Sequence, residues 1–276
     1  MSKELRRFFG YVIVFFCAVG YLIYRYFYLN PVTDFHKEIL VAVAFAVLST
    51  CVMGIYETIK CQGKYFWISL RCSLFIPNKE TYISLSYLMR IKLSGSERYF
   101  LVKGSKIDHQ YQPVGGVYKI IGNKDIYKAW EAHPKSDEKN PDDLRFFAKA
   151  KYIPEIIRWF KSRKDREAGV WREFYEELLE TKILSRKNFK TIRAEYLCSH
   201  ENILSKQNRF KNEQYHTLIY DIFQIELSTN QFQELKEMME KDTFTSQFAF
   251  VTKDEIEKEC FNDHKLKIGQ HTKFTI

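Results

Sequence analysis

Two long uncharged stretches near the N-terminus constrain this chain more than any other feature. Phe8 to Tyr24 (FFGYVIVFFCAVGYLIY) runs for seventeen residues, and Ile39 to Tyr56 (ILVAVAFAVLSTCVMGIY) for eighteen. As α-helices they would be roughly 26–27 Å long, close to the ~30 Å hydrocarbon core of a bilayer. Arg25 stands near enough to the end of the first run for its charge to reach an interface. We read residues 1–60 as a two-transmembrane α-hairpin turned by NPVTDFHKE, residues 30–38. A cleaved secretory signal is the other reading of the first run, since Lys3, Arg6 and Arg7 precede it. No small-x-small cleavage site follows, however, and a second span comes almost at once, which a signal does not explain.

The basic residues orient the hairpin. Lys3, Arg6 and Arg7 lie before the first span, whereas the turn sets a lone Lys37 against Asp34 and Glu38. Lys60 and Lys64 follow the second span, and the whole chain carries a net charge of +9. The positive-inside rule then places both termini in the cytoplasm. The six cysteines agree, because none forms a C-x-x-C pair or a disulfide-like framework, as expected of a reduced compartment.

Residues 61–276 read as one cytoplasmic α/β unit. TYISLSYLMRIKL and RYFLVKG are strand-like and joined by SGSE, which predicts a hairpin. QYQPVGGVYKII continues as a strand through a proline and two glycines. Around 119–165 the text turns polar and basic, as an insertion would. NFKTIRAEYLCSH and NEQYHTLIYDIFQIEL are further strands. TNQFQELKEMMEK is a helix opened by threonine, and SQFAFVTKDEIEKEC is a strand running into a short helix.

The segment WREFYEELLE holds the densest chemistry. Trp171, Phe174 and Leu178 form an apolar helical stripe. Glu173, Glu176 and Glu177, at i, i+3 and i+4, would be neighbours on one face and would repel. A hard divalent cation would relieve that repulsion, and so would Arg172 or plain water. Taken alone, a metal site and a solvated face both remain open.

Context narrows the choice. The corner QPVGGVY followed by REFYEEL resembles the Nudix hydrolase family, whose signature runs glycine, five residues, glutamate, seven residues, then Arg-Glu-apolar-x-Glu-Glu. The resemblance implies an α/β/α sandwich with a mixed sheet. It makes Glu173, Glu176 and Glu177 ligands of Mg2+ or Mn2+ and, in an active enzyme, catalytic residues acting on a phosphoanhydride. Arg172 would orient them, and Glu255 in FAFVTKDEI would be a candidate base. The pattern is degenerate: the signature glycine falls on Arg158 and its first glutamate on Lys164, while Glu167 lies nearby but off register. Gly115 and Gly116 lie some fifty residues upstream of the glutamates. Two spans followed by an insertion-bearing, degenerate domain with WFKSRKDRE and WREFYEELLETKIL resemble the SMODS-associated Nudix domain, found among effectors of bacterial CBASS antiphage systems. That likeness implies a bacterial inner-membrane protein and a cyclic oligonucleotide partner made by a nucleotidyltransferase. It also implies homo-oligomers that breach the bilayer, and no duplex nucleic acid.

Within this frame, Arg158, Arg163, Lys164 and Arg166 suit phosphates, and aromatic faces nearby suit bases. They equally suit anionic lipid beside the spans. Three readings follow: a receptor that holds a cyclic nucleotide, a tethered hydrolase of a nucleoside-diphosphate-linked substrate, and a membrane-tethered scaffold. His109, His200, His216 and His264 show no metal-ligand spacing with cysteine and read as ordinary histidines.

Overall fold

The computed structural model describes residues 3–28, 35–104, 107, 109–122, 125–134, 142–206 and 215–276. In chain order, α1 (Lys3–Tyr28), α2 (Phe35–Gln62) and α3 (Lys64–Leu70) lead through a π turn into β1 (Glu80–Arg90). Then come β2 (Lys92–Leu93), β3 (Arg98–Lys103), β4 (Gln110–Gln112), β5 (Gly115–Val117), α4 (Asp125–Ala129), β6 (His133–Pro134), β7 (Arg145–Lys149) and α5 (Ile153–Ser162). The chain continues with α6 (Trp171–Phe174), a π turn over Tyr175–Glu180, β8 (Arg193–Ser205), β9 (Tyr215–Glu226) and α7 (Thr229–Lys241). It ends with β10 (Phe248–Thr252), α8 (Lys253–Lys258), β11 (Cys260–Phe261), β12 (Leu266–Ile268) and a 3-10 turn. Two compact units result: residues 1–80 with 148–162, and residues 81–147 with 163–276. Helix continues beyond the second span through α3, and the first compact unit extends to residue 80.

In the first unit, Glu4–Tyr28 and Glu38–Cys61 are long and apolar enough to cross a membrane. Their expected turn lies largely outside the described residues. Gly54 of α2 faces the Tyr11 ring of α1, where a Cβ would come within 2.6 Å of it, so the missing side chain lets the helices approach. Leu5, Ala44 and Cys51 are buried, whereas Phe16, Phe45 and Met53 are exposed, as lipid-facing side chains would be. Gly63 turns the chain into α3 at a φ of 48°, a conformation glycine adopts without a Cβ penalty. α5 buries Ile153, Ile156, Ile157 and Phe160. Phe8 meets Phe66 edge-on at 4.8 Å, and Glu4 pairs with Arg158 at 3.1 Å.

The second unit is built on two mixed sheets with helices, which is the expected α/β class. One has the order β6-β7-β1-β9-β8 with β5 beside β1; the other runs β10-β3-β4-β12-β11 with β2 beside β3. β1 and β9 are parallel over Thr81–Arg90, and β12 and β4 are parallel over two residues. β1 is buried along nearly its whole length, the small polar Thr81, Ser84 and Ser86 included. Tyr99, Leu101, Tyr111, Val251, Ile256 and Phe261 form the core on the second sheet.

Three sequence expectations change here. The hairpin around SGSE is only β2 against β3, Lys92 opposite Tyr99; β1 belongs to the other sheet. QYQPVGGVYKII is not one strand, because β4 and β5 fall in different sheets on either side of Pro113 and Val114. Proline cannot donate to a ladder, so the chain changes sheet there. The cap of α7 is Ser228, not Thr229, closing a capping box with Gln231. The expected insertion contains α4, β6, β7 and α5, and part of it lies outside the described residues.

Candidate functional site

A cleft of about 840 Å³ opens in the second unit. Its walls come from β1, β4, β5, β12, the glutamate helix and the C-terminal turn. β5 lies antiparallel to β1, with Tyr87 opposite Gly116 and Leu88 opposite Gly115. A side chain at Gly115 would strike the Tyr87 carbonyl, and one at Gly116 would strike the Glu173 carboxylate. Both glycines therefore line the cleft because backbone and carboxylate occupy the space a Cβ needs.

Arg172 organises the glutamate side. Its Nε and Nη2 donate to the two oxygens of Glu167, each at 3.1 Å, a bidentate fork. Nη1 donates to Glu173 and stands 3.7 Å from Glu176, and Nη2 also donates to the Val117 carbonyl at 2.9 Å. Glu167 is fixed in turn: its amide donates to the Lys119 carbonyl at 2.8 Å. Burial alone would lower the Arg172 pKa, but its bonds with Glu167 and the charge of Glu173 hold it above the usual range. Glu167 is thus the residue that sequence reasoning set aside. The signal was present, since it is the sole acid between Arg166 and Arg172.

The three glutamates do not all enter the cleft. Residues Tyr175–Glu180 form a π turn, whose wider winding carries position i+3 round the side. Glu173 and Glu177 line the cleft, and Glu176 is 48% exposed. Burial raises the Glu173 pKa, opposed mainly by Arg172. Burial, with the charges of Glu173 and Glu176, pushes the Glu177 carboxyl up to about 8, although the Gly115 amide opposes the shift. Glu177 Oε2 is enclosed and has no hydrogen-bonding partner among the described residues. At neutral pH Glu177 therefore mostly holds its proton.

Nudix domains generally use divalent metals, and Glu173 and Glu177 are the carboxylates of the glutamate helix that face the cleft and could contribute to holding one. Arg172 supplies positive charge between Glu173 and Glu176. Among the described residues no three His, Cys, Asp or Glu side chains are gathered closely enough to hold an ion.

The remaining candidates lie elsewhere. Glu255 caps α8, accepting from the Thr252 amide at 2.7 Å and hydroxyl at 3.0 Å. Arg158 belongs to the first unit, paired with Glu4. Arg163 lies over the Tyr196 ring at 5.2 Å, and Lys164 is exposed. Arg166 is 6% exposed; it covers the Tyr118 ring at 4.3 Å and faces Asp221 at 3.8 Å. Tyr118 donates to the same Asp221 oxygen at 2.9 Å. Among the described residues, the cleft is lined by the cations Arg145 and Lys267, with Asp143, Glu259, Tyr220 and His271 beside them. Glu259 is paired with Lys273 at 2.6 Å, and the Tyr220 and His271 rings are nearly parallel, 6.2 Å apart. Among the histidines, His264 Nδ1 meets Cys260 Sγ at 2.8 Å, a pair that sequence spacing did not suggest. Trp130 packs on Phe146, rings stacked at 6.1 Å.

Mixed sheets, a glycine corner and an Arg-Glu helix bordering one cleft define a Nudix-type domain. A sequence model of the SMODS-associated NUDIX domain matches residues 80–276, and the chain belongs to that family. No curated protein and no solved structure matches it.

Proposed function

We propose that this chain is a membrane-associated effector whose Nudix-like cleft receives a cyclic oligonucleotide signal. The observation that carries this reading is the cleft's lining, in a chain that also has two membrane-length helices. Two cations suit phosphate, and the parallel Tyr220–His271 pair suits a base. The volume lies within the ~300–1,000 Å³ usual for small-molecule sites. Charge on the glutamate side is largely offset, since Glu173 is paired with Arg172 and Glu177 is mostly neutral. The spans would sit in a bacterial inner membrane with both termini in the cytoplasm. Binding would favour assembly of homo-oligomers, and their bundled spans would breach the bilayer as part of antiphage defence. The signal would come from a nucleotidyltransferase; duplex nucleic acid is not its ligand.

Thermal unfolding of the full chain in detergent, against cyclic di- and trinucleotides, tests this. A ligand at about a hundred times its Kd adds ~2.7 kcal/mol, and Lys267→Glu should abolish that shift. No shift with any cyclic compound would refute the reading.

One observation favours a second reading, a tethered hydrolase of a nucleoside-diphosphate-linked substrate. Glu177 faces the cleft with a pKa near operating pH, as a general acid or base requires. Turnover lost in Glu177→Gln, with the fold retained, would support it. An inert wild type supplied with Mg2+ or Mn2+ and common nucleotides would eliminate it.

A further inference from the structure

The first unit holds a smaller cavity, about 190 Å³, between α3 and α5. Ile68, Pro154 and Ile157 give it an apolar floor, and Tyr65, Arg158 and Lys161 form its rim. Lys161 donates to the Tyr65 hydroxyl and lies 4.2 Å from the centre of that ring. Arg158 reaches Glu4 at 3.1 Å, with the two side chains 58% and 31% exposed. A pair this exposed contributes little to stability, so a competing phosphate can take the guanidinium.

The surroundings say what that phosphate belongs to. α3 begins three residues after the span Glu38–Cys61 ends. Beyond the span, Trp67, Leu74 and Phe75 remain 58%, 52% and 73% exposed. Large apolar side chains left bare beside a membrane span are covered by lipid, and tryptophan favours the headgroup level. Glu4, at the start of the first span, ties α5 to this same end of the hairpin. The cavity falls below the ~300 Å³ at which small-molecule sites begin, which disfavours a nucleotide but leaves room for a phosphodiester.

We propose that this cavity is a phospholipid site. Arg158 and Lys161 clamp the phosphate of an anionic lipid, while the exposed Trp67, Leu74 and Phe75 rest in the lipid surrounding the same end of the hairpin. The site makes the inner end of the hairpin sensitive to headgroup charge. It is independent of what occupies the cleft of the second unit.

The test uses the full chain in nanodiscs of phosphatidylcholine alone or mixed with phosphatidylglycerol. Native mass spectrometry should show phosphatidylglycerol retained in preference. Each cation removed should weaken that retention about fivefold, from ~1 kcal/mol per basic residue at a membrane surface. Arg158→Gln with Lys161→Gln should therefore erase it, Lys161→Arg should keep it, and Lys236→Gln, an exposed cation of the second unit, should leave it unchanged. Brominated lipid should quench the wild-type fluorescence more than that of Trp67→Phe. Equal retention of both lipids by the wild type, or unchanged retention in the double variant, overturns the proposal. Equal quenching with and without Trp67 removes the apolar seat and overturns it too.

Discussion

RWFKSRKDR, residues 158–166, and WREFYEE, residues 171–177, are separated by four residues. Both offer charged groups suited to a phosphate chemistry, yet they are backed by different surroundings. The glutamate stretch is built on a helix against β5, and two of its carboxylates enter the cleft. The basic stretch is distributed: Arg158 toward Glu4, Arg163 over Tyr196, Arg166 sunk beside Asp221. A cation's role here follows from what stands behind it, and density of charge in the sequence does not report that.

The sharpest break in this comparison comes at Arg166. Arg166→Ala should cost about 3–5 kcal/mol in denaturant unfolding, because Asp221 is left buried without its cation. A loss below about 1 kcal/mol would return Arg166 to the pool of candidate ligand residues. Arg172→Ala should cost less, about 2–3 kcal/mol, since its pairs are only partly buried. The spacing of Glu167 and Glu173 should change with it, and an unaltered stability would deny Arg172 its organising part.

Glu177→Gln acts through pH. In the fold this carboxyl sits at about 8, against 4.5 as its ordinary value. Its raised pKa makes stability highest below about pH 4.5 and lost progressively as pH rises through about 8. Glutamine, which imitates the protonated form, should flatten that slope, so the variant gains on the wild type across this window. Parallel stability curves would place Glu177 in water. The smallest effect belongs to Arg163→Glu, within about 0.5 kcal/mol as for an ordinary surface change. It should also leave any nucleotide affinity as it was, and a large loss of affinity would restore the basic run to the site.

Much of the fold was legible, for identifiable reasons. The two spans announce themselves by length and lack of charge. β1, β9 and β10 announce themselves by β-branched and aromatic runs, whereas the Thr252–Glu255 box that opens α8 emerges only in the structure. Partnering was less legible, since TYISLSYLMRIKL gives no local sign that the chain leaves one sheet for another near Ile91. In the site, Gly115, Gly116, Arg172, Glu173 and Glu177 could be read from a local motif. Arg145, Lys267, Tyr220 and His271 could not, because they come from β7, β12, β9 and the C-terminal turn, spread over residues 145–271 and brought together only by the tertiary fold. Glu167 was missed by holding to a fixed spacing when an arginine's reach tolerates several.

The π turn over Tyr175–Glu180 has a consequence for how this chain presents its carboxylates. Such a turn carries one residue more than the α turn it replaces. The helix therefore keeps a spare position where its carboxylates stand. Only a deletion beyond Glu177 keeps Glu173 and Glu176 three positions apart while returning the segment to ordinary winding. One between them would set the two carboxylates at i, i+2 and turn them apart, so the place of a deletion, and not its length, would decide which carboxylates the helix shows together.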